Sequence, residues 1–132
     1  MVMRYTAKSS FCLHDLQELV RKGAWNYMNT RRTYRHLDDL DWGEEHVIRV
    51  LLALEPTDFE KTVPNCKVHE RWCPEDLVLA DQYCIPWDLE NHCRAPDHVA
   101  YPFALSIKLS LVKESNGDLT GVVTFHPSGT SW

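Results

Sequence analysis

FALSIKLSLV, residues 103–112, alternates with a period of two. Leu105, Ile107, Leu109 and Leu111 face one way, and Ser106, Lys108 and Ser110 face the other, as in a strand with one buried face. ESNGD (114–118) supplies an Asn-Gly turn, and LTGVVTFH (119–126) supplies a return strand. The chain is therefore expected to end in a β-hairpin.

Upstream the period becomes helical. SSFCLHDLQELVRKG predicts a first helix that Ser9 or Ser10 can cap. Leu13, Leu16, Leu19 and Val20 recur at helical spacing, Arg21 and Lys22 suit the negative end of the dipole, and Gly23 is a stop. RRTYRHLDDL predicts a second helix starting near Asn29 or Thr30. DWGEEHVIRVLLAL predicts a third, capped by Asp41, with Glu44 and Glu45 in its first turn. Val47, Ile48, Leu51 and Leu52 form its buried stripe, and Pro56 ends it.

FEKTV (59–63) and VHERW (68–72) are short extended segments flanking a Pro64-Asn65 turn. From 74 to 102 the chain carries Pro74, Pro86, Pro96 and Pro102 among many acids and reads mainly as a long loop or insertion. Helices followed by a mainly antiparallel sheet make an α+β domain. At 132 residues, one domain spanning 1–132 is expected.

Composition limits the function classes. Hydrophobic residues make up 44%, enough for a packed core. The strongest apolar run, VIRVLLAL, is short and broken by Arg49, so no membrane partner is expected. MVMRYTAKSS has no apolar core of a secretory signal, which makes the cytoplasm the default location. Five cysteines, an odd number, argue for reduced thiols over a disulfide framework. Net charge is −5 but is segregated. Residues 1–35 carry seven Lys/Arg against Asp15 and Glu18, whereas 36–55 and 75–97 each carry six acids against one Arg. The overall balance disfavours nucleic acid as a partner, while a local basic patch keeps it open.

DFEKTVPNCKVHERWC (58–73) holds the densest set of reactive side chains. Cys66, His69 and Cys73 have the chemistry of zinc ligands, with Cys84, His92 or Cys93 as a fourth, but their spacing is neither CxxC…CxxC nor HExxH. A metal-free alternative is RNA cleavage by the substrate's own 2′-hydroxyl. That reaction needs a proton acceptor, a proton donor and cations on the phosphoryl oxygens. Lys61, His69, Arg71, Glu75, Lys108 and His126 are eligible if the strands bring them together. The plain reading is that they are the solvated face of a sheet. Trp25, Tyr27, Trp42, Trp72, Trp87 and Tyr101 offer rings on which bases can stack, although most tryptophans in a small domain are core.

The order of these pieces resembles one family, the MqsR (motility quorum-sensing regulator) toxins of bacterial toxin–antitoxin pairs. LHDLQELVRKG is similar to their first helix. LDDLDWGEEHVIRVLLALEPTDFEKT resembles the helix leading into their L-x-x-x-D-F-Y-K-S strand. His69 and Trp72 fall at their H-x-x-W, and LSIKLSLV with VVTFH resembles their final hairpin. The resemblance covers most of residues 9–126, with the acidic segment 77–100 as an enlarged loop insertion relative to the family. It implies a RelE-like fold and an mRNA endoribonuclease that works without metal or cofactor. It also implies a cognate antitoxin as partner, in a homo- or hetero-oligomer.

The family's strand lysine matches Lys61, and its hairpin lysine matches Lys108. Its glutamine after the tryptophan falls on Cys73 by direct counting, or on Glu75 with a two-residue gap. Its hairpin tyrosine becomes Ser106, its last lysine His126, and the tyrosine after Phe59 becomes Glu60. The implied set is Lys61, His69, Glu75 and His126 for catalysis, with Arg71, Lys108 and Trp72 holding RNA and no metal ligand. The alternatives are a non-catalytic interaction module on the same fold, its acidic insertion facing a basic partner, and a small zinc-binding domain.

Overall fold

The computed structural model describes residues 9, 11–27, 30–66, 78–98, 103–113 and 119–127; at 30, 64–66, 78, 113, 119 and 126 it describes the backbone alone. Three helices precede most of the sheet: α1 (Leu13–Arg21), α2 (Thr30–Leu40) and α3 (Glu44–Ala53). The strands are β1 (Trp25–Tyr27), β2 (Phe59–Cys66), β3 (Val78–Asp88), β4 (Cys93–Arg94), β5 (Phe103–Lys113) and β6 (Leu119–Pro127), with a 3-10 turn at Pro56–Asp58. The order across the sheet is β1-β6-β5-β3-β2, with β4 on β3. Only β1–β6 is parallel among these pairs, so the protein is α+β with a mixed sheet of six strands. Among the described residues no helix is long and apolar enough to cross a membrane.

The terminal hairpin forms as the alternation predicts, with Leu105 opposite Pro127 and Lys113 opposite Leu119. Leu105, Ile107, Leu109, Val123 and Phe125 pack with Tyr83, Ile85 and Trp87 on one sheet face, under Leu16, Val20, Leu37, Val47, Val50 and Leu51 of the helices. Gly121 lets α1 approach that face: a Cβ there would stand 3.1 Å from Leu16 Cδ1.

The helix ends differ from the sequence reading. Cys12, rather than Ser9 or Ser10, is the N-cap of α1. Gly23 (φ 76°) closes that helix: its N–H donates to Val20 O, and the Ala24 N–H donates to Leu19 O, a Schellman motif. The same motif ends α2, with Asp41 N–H on Asp38 O and Trp42 N–H on Leu37 O. Asp41 is therefore not the cap of α3. It is the left-handed residue after α2, at φ 58°, a conformation that Asp tolerates better than most side chains. Gly43 caps α3 instead, and its N–H donates to His46 Nδ1 at 3.0 Å.

The larger correction concerns 77–100. Val78–Asp88 is no loop insertion; it is β3, lying between β5 and β2. Its own alternation was there to read: Tyr83, Ile85 and Trp87 are buried at every second position. The acids and Pro86 mask it. Pro86 is tolerated because the Pro86 carbonyl accepts the Ala95 N–H (3.0 Å), so its missing N–H faces the same β4 side, where β2 has already ended, and β5 loses no bond. Pro64 and Asn65 likewise make no turn. They lie within β2, in a register irregularity between Val63 and Cys66 that an edge strand accommodates. VHERW and ESNGD lie outside the described residues.

Two polar ties hold this arrangement. Asp81, 1% exposed on the core face of β3, accepts the Phe11 N–H (2.8 Å) and the Thr62 hydroxyl (2.9 Å), joining β3 to β2 and to the segment before α1. Arg94 donates through Nη1 and Nη2 to Asp58 (2.9 and 2.5 Å) and through Nη2 to the Ala53 carbonyl (3.1 Å), joining β4 to the end of α3. The Asp58 bond holds the Arg94 pKa above its usual value.

Asp81→Ala leaves two donors without their acceptor and is expected to cost about 2–3 kcal/mol in a urea melt. Arg94→Ala strands the Asp58 carboxylate, whose side chain is 8% exposed, and is expected to cost about 2 kcal/mol by the same measurement.

Candidate functional site

The face of the sheet turned away from the helical core carries the side chains left over by the alternation. Register lines them up. Lys61 on β2 stands opposite Gln82 on β3, Gln82 opposite Lys108 on β5, and Lys108 opposite Thr124 on β6. Opposed residues point to the same face, so these four form one row across four strands. Lys61 and Lys108 are two strands apart, about 10 Å between backbones. In the next row Cys84 stands opposite Ser106, and Ser106 opposite His126. His126 is the diagonal neighbour of Lys108, about 7–8 Å away.

This face is not simply solvated. Lys61 is exposed and Gln82 and Lys108 are half-buried, but Ser106, Ser110 and Thr124 are buried. Ala80 and Val122 are buried on it as well, packed with Val63 and Val112. At the β6 end, the Thr124 hydroxyl lies 3.4 Å from that of Thr33, so α2 closes the row there. The accessible part is the run from Lys61 to Lys108.

Gln82 is the residue that sequence reasoning missed. It sits between the two lysines and its amide donates to Glu60 Oε1 at 2.9 Å. A register shift between Phe59 and Lys61 marks a bulge, which lets Glu60 reach the face that Lys61 occupies. Reading 77–100 as a loop hid Gln82; its position in the alternating run Ala80, Gln82, Cys84 was the available signal.

His69, Arg71, Trp72, Glu75 and Cys73 lie outside the described residues, and the side chains of Cys66 and His126 are not described. Of the expected set, register brings together the positions of Lys61, Lys108 and His126. Among the described residues no group of three or more His, Cys, Asp or Glu side chains could hold a metal ion. Trp25, Trp42 and Trp87 are buried in the core cluster, and Tyr27 packs against it, so none of these rings offers a base-stacking platform. No protein-family model, curated protein or solved structure matches this chain.

Beside the α2 end of the row, Tyr27 on β1 packs edge-on against Trp25 and Tyr34, with ring centroids 5.1 and 5.2 Å apart. Burial, then the charges of Glu44, Tyr34 and Glu45, push the Tyr27 phenol up to about 12 from the usual 10.0. A raised folded-state value means that the unfolded chain loses this proton first as pH rises. The stabilisation from Tyr27 is thus complete below pH 10 and is lost between about 10 and 12. An ultraviolet phenolate titration is expected to show a late step that Tyr27→Phe removes.

Proposed function

We propose that this chain is a toxin-type endoribonuclease of RelE/MqsR-like fold that cuts mRNA without a metal and is neutralised by a cognate antitoxin. The observation that carries the reading is the row Lys61, Gln82, Lys108, with His126 one diagonal step away. The two lysines that the resemblance assigns, 47 positions apart in the chain, share one face and one row.

In this reading a phosphodiester lies along the row. The two ammonium groups neutralise the charge that grows on the phosphoryl oxygens as the neighbouring 2′-oxygen attacks. Lys61, the more exposed, takes the scissile phosphate, and Lys108 binds it from the adjoining strands. The Gln82 amide holds Glu60, so one carboxylate oxygen is engaged and turned along the strand pair. His126, one diagonal step from Lys108 by register, moves a proton at that end in this reading. The 2′-hydroxyl loses its proton to a base, the P–O5′ bond breaks, and the leaving oxygen takes a proton. The products are a 2′,3′-cyclic phosphate and a free 5′-hydroxyl. Roles for His69, Glu75, Arg71 and Trp72 rest on the resemblance.

Purified protein incubated with mRNA, with and without EDTA, tests the proposal. Cleavage is expected to be unaffected by EDTA and to fall about a hundredfold or more in Lys61→Ala. Absence of cleavage, or cleavage abolished by EDTA and unchanged in Lys61→Ala, would sink the mechanism.

A further inference from the structure

Away from the lysine row, the turn between α2 and α3 meets the turn between β3 and β4 around a cleft of about 470 Å³. Its walls include Asp39, Asp41, Trp42 and His46 from the first turn and Leu89 and His92 from the second. That volume is in the range of sites that enclose a small ligand or a side chain.

Both turns are held in costly conformations. Asp41 (φ 58°) and His92 (φ 53°) are the two non-glycine residues at positive φ among the described residues, and both line this cleft. Such outliers gather at binding and catalytic sites, where surrounding contacts fix them. Here Asp88 fixes the second turn: its carboxylate accepts the N–H groups of Glu90 (2.9 Å) and Asn91 (3.0 Å) and the Asn91 side-chain amide (2.9 Å), and its carbonyl accepts the His92 N–H (2.8 Å).

The rings are equally fixed. His46 stacks on Trp42 with centroids 5.5 Å apart and planes at 19°, while His92 stands 4.8 Å from His46. His46 Nδ1 is committed to the Gly43 N–H. His92 Nδ1 is shielded from solvent and has no hydrogen-bond partner among the described residues.

Charge selects the ligand. Residues 38–45 hold five carboxylates and residues 88–90 hold two, with no Lys or Arg in either segment. Two of them, Asp39 and Asp41, line the cleft itself. Phosphates and other anions are repelled from such a rim, and a cation is drawn to it. Leu89, 39% exposed, adds an apolar wall for an aliphatic stem. A guanidinium matches this combination: its forked donors fit carboxylates, and its flat face suits the half-buried imidazoles of His46 and His92. An ammonium has no flat face and holds its water more strongly.

We propose that this cleft seats an arginine side chain from a basic segment of a protein partner. The site stands apart from the ribonuclease reading and survives its failure.

The test is an NMR titration of the full chain with N-acetyl-arginine methylamide, following the ring signals of His46, His92 and Trp42. Saturable shifts are expected, and added sodium chloride should raise the midpoint. Asp39→Asn with Asp41→Asn should weaken binding at least tenfold; asparagine keeps the left-handed backbone at 41 accessible. The proposal is overturned if the citrulline or lysine analogue shifts these signals equally, or if the midpoint ignores salt. It is also overturned if guanosine monophosphate competes for the cleft, or if the double variant, folded by its amide spectrum, binds unchanged.

Discussion

Strand β3 must have its backbone satisfied on both sides, and the architecture follows from how this is done. On one side β5 pairs with it from Asp81 to Trp87. On the other side β2 serves residues up to Tyr83, and β4 takes over at Trp87 and Asp88. Pro86 stands at the handover, on the β4 side, where a missing donor costs least. This division lets an eleven-residue strand containing a proline lie in the interior of the sheet.

Three consequences reach the surface from that strand. Pairing with β2 and β5 at once brings Lys61 and Lys108 into one row with Gln82 between them. The Asp81 carboxyl, pointing to the opposite face, fixes the segment before α1 against the sheet. The turn into β4 projects Leu89 and His92 toward the end of α2, where the acidic cleft forms. The pair of Arg94 with Asp58 then anchors β4 to the α3 end of the domain. The lysine row and the acidic cleft thus have a common support in this strand. A chain with net charge −5 in this way keeps its row of lysines away from its acidic cleft.

The ease with which elements were read from sequence tracks how far their signals were local. Helices α1, α2 and α3 and the final hairpin announce themselves, because apolar period and turn residues act within a few positions. Asp41 misled because an acid before a helix reads as an N-cap, while its actual duty is to end the previous helix. Strand β3 was hidden by composition: its acids and Pro86 suit a loop unless a partner is known to cover each of them. The partner of Asp81 in the N-terminal segment is 70 residues away, beyond the reach of any window.

Local signals in the chain specify the α+β order, the alternating faces of the hairpin, the separation of basic and acidic stretches, and which residue types could handle phosphate. These depend on period, composition and side-chain chemistry, all carried by the chain locally. That Lys61, Gln82 and Lys108 share a row, and that residues 39–42 and 89–92 line one cleft, follows from long-range pairing in the folded chain. Strand neighbours are chosen by which backbone groups must be satisfied and which faces must be buried. Those are conditions on the whole sheet, and no segment of the chain states them alone.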